Sequence, residues 1–241
     1  MLVSGFPTGP LGNNCFVVAN GPGQECFIVD PGKDALAGIE QLVDEHQLTP
    51  VAVLITHGHF DHTWSLSQVC QKYGIPAYIH KADRFMLADP MAGMSSEFKS
   101  LINQMNDGSI QFGEPDEVRE IDGEKLLTLA GIDVIVDHAP GHTQGTTVYR
   151  VAGDPLEDRP PVAFTGDFLF QGSIGRTDLP GGDTAQMSES LRTVILPMDD
   201  DTVVLPGHGA TSTVGVERTH NPYLVQLIES PQTDLNLPEG N

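Results

Sequence analysis

Residues 51–63, VAVLITHGHFDHT, combine a short apolar run with four side chains that can bind metal ions. The run from Val51 to Ile55 is rich in β-branched residues, which indicates a buried strand. The four donors follow the end of this strand and are His57, His59, Asp61 and His62. In an extended segment, side chains two residues apart point to the same side, so we expect the first three to converge and the fourth to turn back beside them. One tetrahedral zinc site needs fewer donors than this from a single loop, so the pattern favours a centre with two metal ions.

Three later segments repeat the pattern of an apolar strand followed by a turn of small residues that carries one donor. They are VDHAPGHTQGTT with His142, AFTGDFLF with Asp167, and VVLPGHGATS with His208. A glycine beside each donor lets the backbone approach closely. A single GH or GD dipeptide is typical of an ordinary turn. Three of them in a chain that also contains HxHxDH predict that further metal ligands come from these loops.

The motifs THGHFDH, PGHTQG, TGD and PGHG, in this order, resemble those of the metallo-β-lactamase-fold hydrolases. Within that group they are similar to the short glyoxalase II-like (hydroxyacylglutathione hydrolase-like) branch. The resemblance extends over nearly the whole chain, from NCFVV and IVDPG to PGHG. It implies a four-layer αββα sandwich that holds two divalent metal ions, with zinc expected and iron or manganese as alternatives. It assigns one ion to His57, His59 and His142. It assigns the other ion to Asp61, His62 and His208, with Asp167 bridging both.

The resemblance also implies a hydrolytic mechanism. A hydroxide between the two ions attacks a carbonyl that one ion polarises, and the same ion stabilises the oxyanion. Asp61 and Asp167 are the expected catalytic carboxylates, and no nucleophile motif such as GxSxG is present. Asp30, in VDPG, matches a family position near the metal loop. Either it orients a ligating imidazole through a hydrogen bond, or it only forms the turn before Pro-Gly.

The expected substrate is a small-molecule thioester such as S-lactoylglutathione. Full-length relatives carry a C-terminal helical region whose basic residues bind the glutathione carboxylates, whereas the segment after PGHG is short here. Another acyl thiol therefore remains an alternative. Arg176, in GSIGRTDLPGGD, is the candidate contact for a substrate carboxylate because its planar guanidinium suits that geometry. A purely structural pairing with Asp178 is the competing interpretation.

A persulfide dioxygenase of the same fold is the main alternative function. Such a protein would bind one iron through His57, His142 and Asp167, a facial triad suited to oxygen activation. Threonine and serine occupy positions in GHTQGTT and GSIGRTD where we expect cysteine in the dioxygenases, which favours the hydrolase. A nuclease is disfavoured because a basic surface is missing, and an inactive metal-binding scaffold is disfavoured by the presence of all seven donors.

Composition narrows the class of partner. The 12 basic and 33 acidic residues give a formal charge of −21, which disfavours nucleic acids and anionic membranes as partners. The three cysteines, Cys15, Cys26 and Cys70, include no CxxC pair and indicate buried thiols in a reducing compartment. The N-terminus shows no signal peptide, and no apolar run reaches the length of a membrane span. We expect a cytoplasmic protein, and the sequence does not indicate its oligomeric state.

The hydrophobic periodicity predicts strands and helices that alternate in both halves of the chain. The predicted strands cover residues 2–6, 15–19, 26–30, 51–55, 76–79, 117–121, 125–129, 132–137, 146–151, 162–165 and 202–205. The predicted helices cover residues 34–48, with Asp34 as N-cap, and 62–73, 184–196 and 216–228. Residues 154–161 read as a hairpin loop. Together these elements predict an α/β (α+β) fold, with two sheets packed face to face and helices on both outer faces, in a single domain over residues 1–241.

Residues 81–108 form a Met-rich stretch that interrupts the alternation of predicted strands and helices. They form either a lid or insertion on the substrate side, or a surface helix that packs an apolar stripe on the core. The stripe would contain Phe98, Leu101, Ile102 and Met105.

Overall fold

The computed structural model describes residues 1–94, 99–100 and 113–235, and in these residues two six-stranded sheets pack face to face. The first sheet contains β1 (Leu2–Thr8), β2 (Asn13–Ala19), β3 (Glu25–Val29), β4 (Thr49–Leu54), β5 (Ala77–His80) and β6 (Val118–Ile121). These strands are adjacent in chain order. The pairs from β1 to β3 are antiparallel, and those from β3 to β6 are parallel.

The second sheet contains β7 (Leu126–Leu129), β8 (Ile132–His138), β9 (Thr147–Val151), β10 (Val162–Gly166), β13 (Val203–Pro206) and β14 (Ser212–Thr213). Its order is β14-β13-β10-β9-β8-β7, in which only the β10–β13 pair is parallel. Between β10 and β13 the chain forms a small hairpin of β11 (Leu169–Phe170) and β12 (Ser173–Ile174).

Helices cover the outer face of each sheet. They are α1 (Ala35–His46), α2 (Phe60–Thr63), α3 (Leu66–Tyr73), α4 (Phe85–Ala88), α5 (Thr184–Ser190), α6 (Val214–His220) and α7 (Pro222–Glu229). Strand alternation explains the layers: in β2, Val17 packs with α1 and α3, whereas Phe16 and Val18 face the second sheet. Phe16 meets Phe164 there edge to face, with ring centroids 5.4 Å apart. On the far side, α5 and α7 pack on the second sheet. The predicted architecture of two sheets flanked by helices is confirmed.

The carboxyl ends of β4, β10 and β13 meet at one edge of the two sheets, and hydrogen bonds join the sheets there. The Thr147 N–H donates to the Thr56 carbonyl at 2.8 Å, and the Asn14 N–H donates to the Gly207 carbonyl at 2.7 Å. These contacts bring the loops that follow the strands close together. In the described residues, no helix is long and apolar enough to cross a membrane. The three cysteines are buried thiols, as expected.

Two predicted helices were wrong as single elements. The segment 62–73 divides into α2 and α3, because the backbone N–H of buried Ser65 donates to the Pro31 carbonyl at 3.0 Å instead of continuing the helix. The segment 216–228 divides into α6 and α7 at Asn221-Pro222. Proline lacks an N–H and drives the preceding residue to an extended conformation, and Asn221 has φ −73° and ψ 116°. Its side chain then caps α7 by accepting from the Tyr223 N–H at 3.1 Å.

Other predicted features also differ from the observed structure. Asp34 precedes α1 with φ 63° and makes no capping hydrogen bond, since its carboxylate pairs with Lys33 instead. Helix 184–196 is confirmed, but its last part, Leu191–Ile195, is a π-helix. The loop 154–161 does join the antiparallel strands β9 and β10, and it contains a 3-10 turn at Pro155–Glu157. The strands β11, β12 and β14 were not predicted, since two-residue strands have no periodicity to detect.

Within the Met-rich stretch, residues 81–94 contain the 3-10 turn Lys81–Asp83 and α4, and they lie beside the loop that carries His57 and His59. The predicted apolar stripe of Phe98, Leu101, Ile102 and Met105 lies outside the described residues. The assignment of residues 81–108 as a lid and the single-domain organisation both stay predictions.

Candidate metal centre

Seven predicted donor side chains lie together at the shared edge of the two sheets. His57 and His59 follow β4, and Asp61 and His62 belong to the single-turn helix α2. The loops after β8, β10 and β13 supply His142, Asp167 and His208. The expected convergence of His57, His59 and Asp61 was wrong for the third residue. Because α2 begins at Phe60, the Asp61 side chain follows helical and not extended geometry, and it faces His208.

The first donor group contains three imidazoles. Nε2 of His57 lies 3.1 Å from Nδ1 of His59, and Nε2 of His142 lies 2.9 Å from the same atom. All three residues are buried. Nitrogens that share a tetrahedral zinc ion, at about 2.0–2.1 Å each, lie about 3.3 Å apart. The observed spacing is close to that value.

The second donor group contains Asp61, His62 and His208. Oδ2 of Asp61 lies 3.1 Å from Nε2 of His208 and 3.7 Å from Nε2 of His62. Asp167 lies between the two groups. Its Oδ1 is 3.2 Å from Nε2 of His62, and its Oδ2 is 3.8 Å from Nε2 of His142. One carboxylate therefore reaches both groups, as a bridging ligand would.

Hydrogen bonds at the outer nitrogens of His142 and His208 fix which ring nitrogen faces the centre. Nδ1 of His142 lies 2.8 Å from the Arg176 carbonyl, and Nδ1 of His208 lies 3.0 Å from the Leu11 carbonyl. A carbonyl only accepts hydrogen bonds, so both Nδ1 atoms carry the proton. In the neutral ring Nε2 then keeps its lone pair, which points into the centre. This is the tautomer that a metal ion requires.

Asp30 orients two further imidazoles. Its Oδ2 accepts from Nδ1 of His62 at 3.0 Å and from the Thr56 hydroxyl at 2.6 Å, while Oδ1 accepts from the Thr56 N–H at 2.8 Å. The Thr56 oxygen lies 3.2 Å from Nδ1 of His57 and is free to accept from it. Of the two interpretations of Asp30, the structure therefore shows the orienting hydrogen bond.

The protonation of the cluster reflects burial and mutual charge. Burial, and then the imidazole of His142, lower the pKa of His59 to about 3. Burial and the neighbouring imidazoles likewise hold the pKa of His57 well below its ordinary value. For His62 burial acts in the same direction, but the carboxylates of Asp167 and Asp61 outweigh it and raise the pKa. A divalent ion would replace this proton on His62.

The donor set fits divalent metal ions. Nε2 of His62 and Oδ1 of Asp167 are buried and lie 3.2 Å from each other, with no further hydrogen-bond partner among the described residues. A buried polar atom left unpaired costs about 1–3 kcal/mol. In each of three sets of donors, all ligand atoms lie within 4.8 Å of one another. Lone pairs and carboxylates directed at one another repel without a cation, so bound metal ions would satisfy both observations.

Two glycines make room for the centre. A Cβ at Gly207 would lie 2.6 Å from Cε1 of His62 and would also contact Asp167. A Cβ at Gly93 would lie 2.7 Å from Cδ2 of His59. Any side chain at these positions would displace a donor.

A cavity of about 270 Å³ opens over the donors, and its walls are mainly apolar. The apolar lining comes from Leu11, Phe60, Met94, Phe170 and Leu179. Arg176 also lines this cavity, and its guanidinium binds Asp178 through two hydrogen bonds of 2.6 Å. The predicted structural pairing is therefore present, at a position that also faces the cavity. A larger groove of about 860 Å³ lies at the amino ends of β10 and β13, and none of the seven donors lines it.

Two residues near the centre were missed from the sequence. Thr56 connects Asp30 to His57, and Asp83 accepts hydrogen bonds from the loops of His57 and His142. For Asp83 a signal existed, because it follows a strand whose carboxyl end points to the same edge as the other donors. His80 and His138 stack on each other with ring centroids 3.9 Å apart, and Nε2 of His138 lies 2.8 Å from the Gln144 carbonyl. Neither belongs to a donor group among the described residues.

Comparison with known proteins agrees with this geometry. The family model of the metallo-beta-lactamase superfamily matches residues 8–208. The hydroxyacylglutathione hydrolase GloC of Haemophilus influenzae is 33% identical over 226 residues, which cover 91% of this chain and 96% of that protein. The chain belongs to the metallo-beta-lactamase superfamily.

Two solved structures are similar over almost their whole length. The crystal structure of the B3 metallo-beta-lactamase BLEG-1 has a TM-score of 0.76 and 37% identity, and the match covers 92% of this chain and 99% of that chain. The protein TTHA1623, crystallised in a di-iron-bound form, has a TM-score of 0.73 and 31% identity, with 92% and 100% covered. Membership of this superfamily, together with the His/Asp cluster, supports an enzyme of hydrolase type with divalent metals.

Proposed function

We propose that this protein hydrolyses small acyl thioesters with a pair of divalent metal ions, and that S-lactoylglutathione is the first substrate to test. The observation that carries the proposal is the pair of donor groups, joined by Asp167, at the floor of a small apolar cavity. The similarity to GloC supports the thioester. We further propose zinc as the metal, with iron as the alternative in view of di-iron TTHA1623.

Two divalent ions held by these residues would supply hydroxide at neutral pH and polarise the substrate carbonyl. The chain itself contributes the geometry around them. Asp61 lines the cavity and keeps its side chain partly exposed, so its carboxylate can accept a proton from the attacking water. Phe60 and Met94, which are buried, shield the acyl group from bulk water.

The cavity size is consistent with a small acyl group. Its volume of about 270 Å³ lies just below the range of about 300–1,000 Å³ that is typical of ligand pockets. In our proposal the acyl group occupies the apolar part and the thiol portion extends past Arg176. A carboxylate on the thiol would then share the guanidinium with Asp178.

A persulfide dioxygenase would need only His57, His142 and Asp167 to hold one iron. The similarity to GloC is the observation that favours the hydrolase over this alternative. Asp61, His62 and His208 are in place, with Asp30 and Leu11 holding the outer nitrogens of the two histidines. These residues would hold the second ion that a two-metal hydrolase needs.

The test is a substrate panel with protein that has been stripped of metal and reloaded separately with zinc, manganese and iron. The panel contains S-lactoylglutathione, an uncharged lactoyl thioester, a β-lactam, and glutathione persulfide with oxygen. We expect thioester hydrolysis that depends on added metal and disappears in Asp61→Ala. Oxygen consumption with the persulfide in the iron form, or β-lactam hydrolysis without thioester hydrolysis, would overturn the proposal.

A further inference from the structure

Asp83 is a fully buried acidic residue outside the seven donors. It ends the 3-10 turn Lys81–Asp83, which follows β5 directly. Taking an unpaired carboxylate out of water costs several kcal/mol, so such a residue persists only where its oxygens are hydrogen-bonded. Its partners therefore show what it stabilises.

The carboxylate of Asp83 accepts three hydrogen bonds from two loops. Oδ2 accepts from the Gly58 N–H at 2.9 Å and from the Thr143 hydroxyl at 2.6 Å, and Oδ1 accepts from the Gly145 N–H at 2.8 Å. Gly58 lies between His57 and His59, and Thr143 follows His142 directly. All three partners are donors, which suits the ionised carboxylate.

The two loops approach the turn closely enough to require glycine. A Cβ at Gly145 would lie 2.5 Å from Cγ of Asp83. A Cβ at Gly58 would lie 2.9 Å from Cβ of Met86 and 3.0 Å from the Asp83 carbonyl oxygen. Gly58 and Gly145, which lie in two different ligand motifs, thus allow the close contact with this turn.

We infer that Asp83 is a positioning residue for the three-histidine group: it fastens the loop of His57 and His59 to the loop of His142 and places one negative charge beside them. The three imidazoles carry no charge of their own to balance a dication. The hydrogen bonds of Asp83 do not extend to Asp61, His62 or His208 in the part of the chain that the structure describes. Its effect is therefore specific to one of the two donor groups.

Asp83→Asn is the sharpest variant. An amide of nearly the same volume has one acceptor oxygen and two N–H donors, so at least one loop then faces a donor instead of an acceptor. Glu217→Gln is the matched control. Glu217 is equally buried and also accepts from three donors, on Gly172, Ser212 and Asn221, but none of these lies in the loops of His57, His59 or His142.

The experiment titrates metal-free protein with Zn²⁺ in competition with a chromophoric chelator. We expect Asp83→Asn to lower the Zn²⁺ affinity of one of the two metal sites by about 10–100-fold. This is the usual effect of losing a group that supports metal ligands. Glu217→Gln should leave the affinity of the three-histidine group as in the wild type. In a His208→Ala background, Asp83→Asn should lower the affinity for the ion that still binds. In a His142→Ala background it should cause no further loss of affinity, because the donor group that Asp83 supports is already lost.

The inference rests on the metal-binding part of the proposed function, and the two fail differently. A wild type that binds no metal contradicts the proposed function. If the wild type binds two ions and Asp83→Asn has unchanged affinities, this inference alone is contradicted. An equal loss of affinity in Glu217→Gln would also contradict it.

If circular dichroism shows that Asp83→Asn does not fold, Thr143→Val and Thr143→Ser replace it. Thr143→Val, which lacks the hydroxyl, should lower the Zn²⁺ affinity of one site severalfold, and Thr143→Ser should not. Equal affinities in the two variants would overturn the inference.

Discussion

Asp167 faces His62 with one carboxylate oxygen, at 3.2 Å, and His142 with the other, at 3.8 Å. His62 belongs to the donor group that contains Asp61, and His142 belongs to the group of three imidazoles. Asp167 is therefore the side chain through which the two groups meet. It follows β10 at Gly166, whose φ of +49° directs the chain into the centre.

Replacing Asp167 with alanine should remove metal and activity together. Loss of the shared carboxylate deprives both groups of a ligand, and we expect at most one bound ion per chain and a fall in kcat of about 100-fold or more, as for other electrostatic groups in active sites. Elemental analysis and steady-state kinetics measure the two effects. Asp133→Ala, an exposed carboxylate on β8, controls for the change in net charge. A fully active, fully metallated Asp167→Ala would contradict the scheme.

The hydroxyl of Thr56 should matter more than its methyl group. It donates to Asp30 at 2.6 Å and lies 3.2 Å from Nδ1 of His57, so it holds both in place. Thr56→Val removes the hydroxyl at constant volume, and we expect metal affinity to fall by about 10-fold or more. Thr56→Ser keeps the hydroxyl and should stay near the wild type. Equal affinities in the two variants would show that the hydrogen bond is not used.

Arg176 should act on substrate binding and not on the chemical step. Its backbone carbonyl, which accepts from His142, is present whatever the side chain. Losing one charge-assisted hydrogen bond of about 1.5 kcal/mol corresponds to about a tenfold rise in KM. We therefore expect Arg176→Gln to raise KM for S-lactoylglutathione about tenfold at nearly constant kcat.

An uncharged lactoyl thioester provides the control for Arg176. Its KM should be the same in the wild type and in Arg176→Gln. Asp178→Asn, which removes the present partner of the guanidinium, should not raise KM for the charged substrate. A similar rise for both substrates would place Arg176 in a structural role only.

His80 should make the metal-free protein less stable in mild acid. Burial, and then the charges of His138 and Lys81, lower its pKa to about 4 in the folded chain, compared with about 6.5 when unfolded. Between these values the unfolded chain binds the proton and the folded chain does not, so the free energy of unfolding falls as the pH falls through this range. His80→Asn keeps an acceptor for the Ala82 N–H and removes the titration.

Urea unfolding in chelator at pH 7.5 and pH 5.5 measures this effect. Wild-type stability relative to His80→Asn should be lower at the lower pH. A stability difference that is the same at both values would contradict the assignment.

The seven donors could be found from the sequence because each follows an apolar strand, usually beside a glycine. The hydrogen bonds that hold these donors in place could not be predicted in this way. Leu11 and Arg176 act through backbone carbonyls, which every residue type possesses. Asp83 is separated by 25 positions from Gly58 and by 62 from Gly145, so only the folded chain shows that they touch.

The two helix breaks also differ in whether the sequence could predict them. The break at Pro222 was readable, since proline cannot continue a helix and restricts the residue before it. The break at Ser65 was not, because it depends on the Pro31 carbonyl in a distant loop. Local chemistry predicts an element until a tertiary hydrogen bond competes with it.

The number of metal ions bound per chain tests the central claim most directly. Protein stripped of metal, reloaded with excess Zn²⁺ and desalted should contain two ions per chain by elemental analysis and should hydrolyse S-lactoylglutathione. One ion per chain in a fully active enzyme, or none, would contradict a centre built from two donor groups that share Asp167.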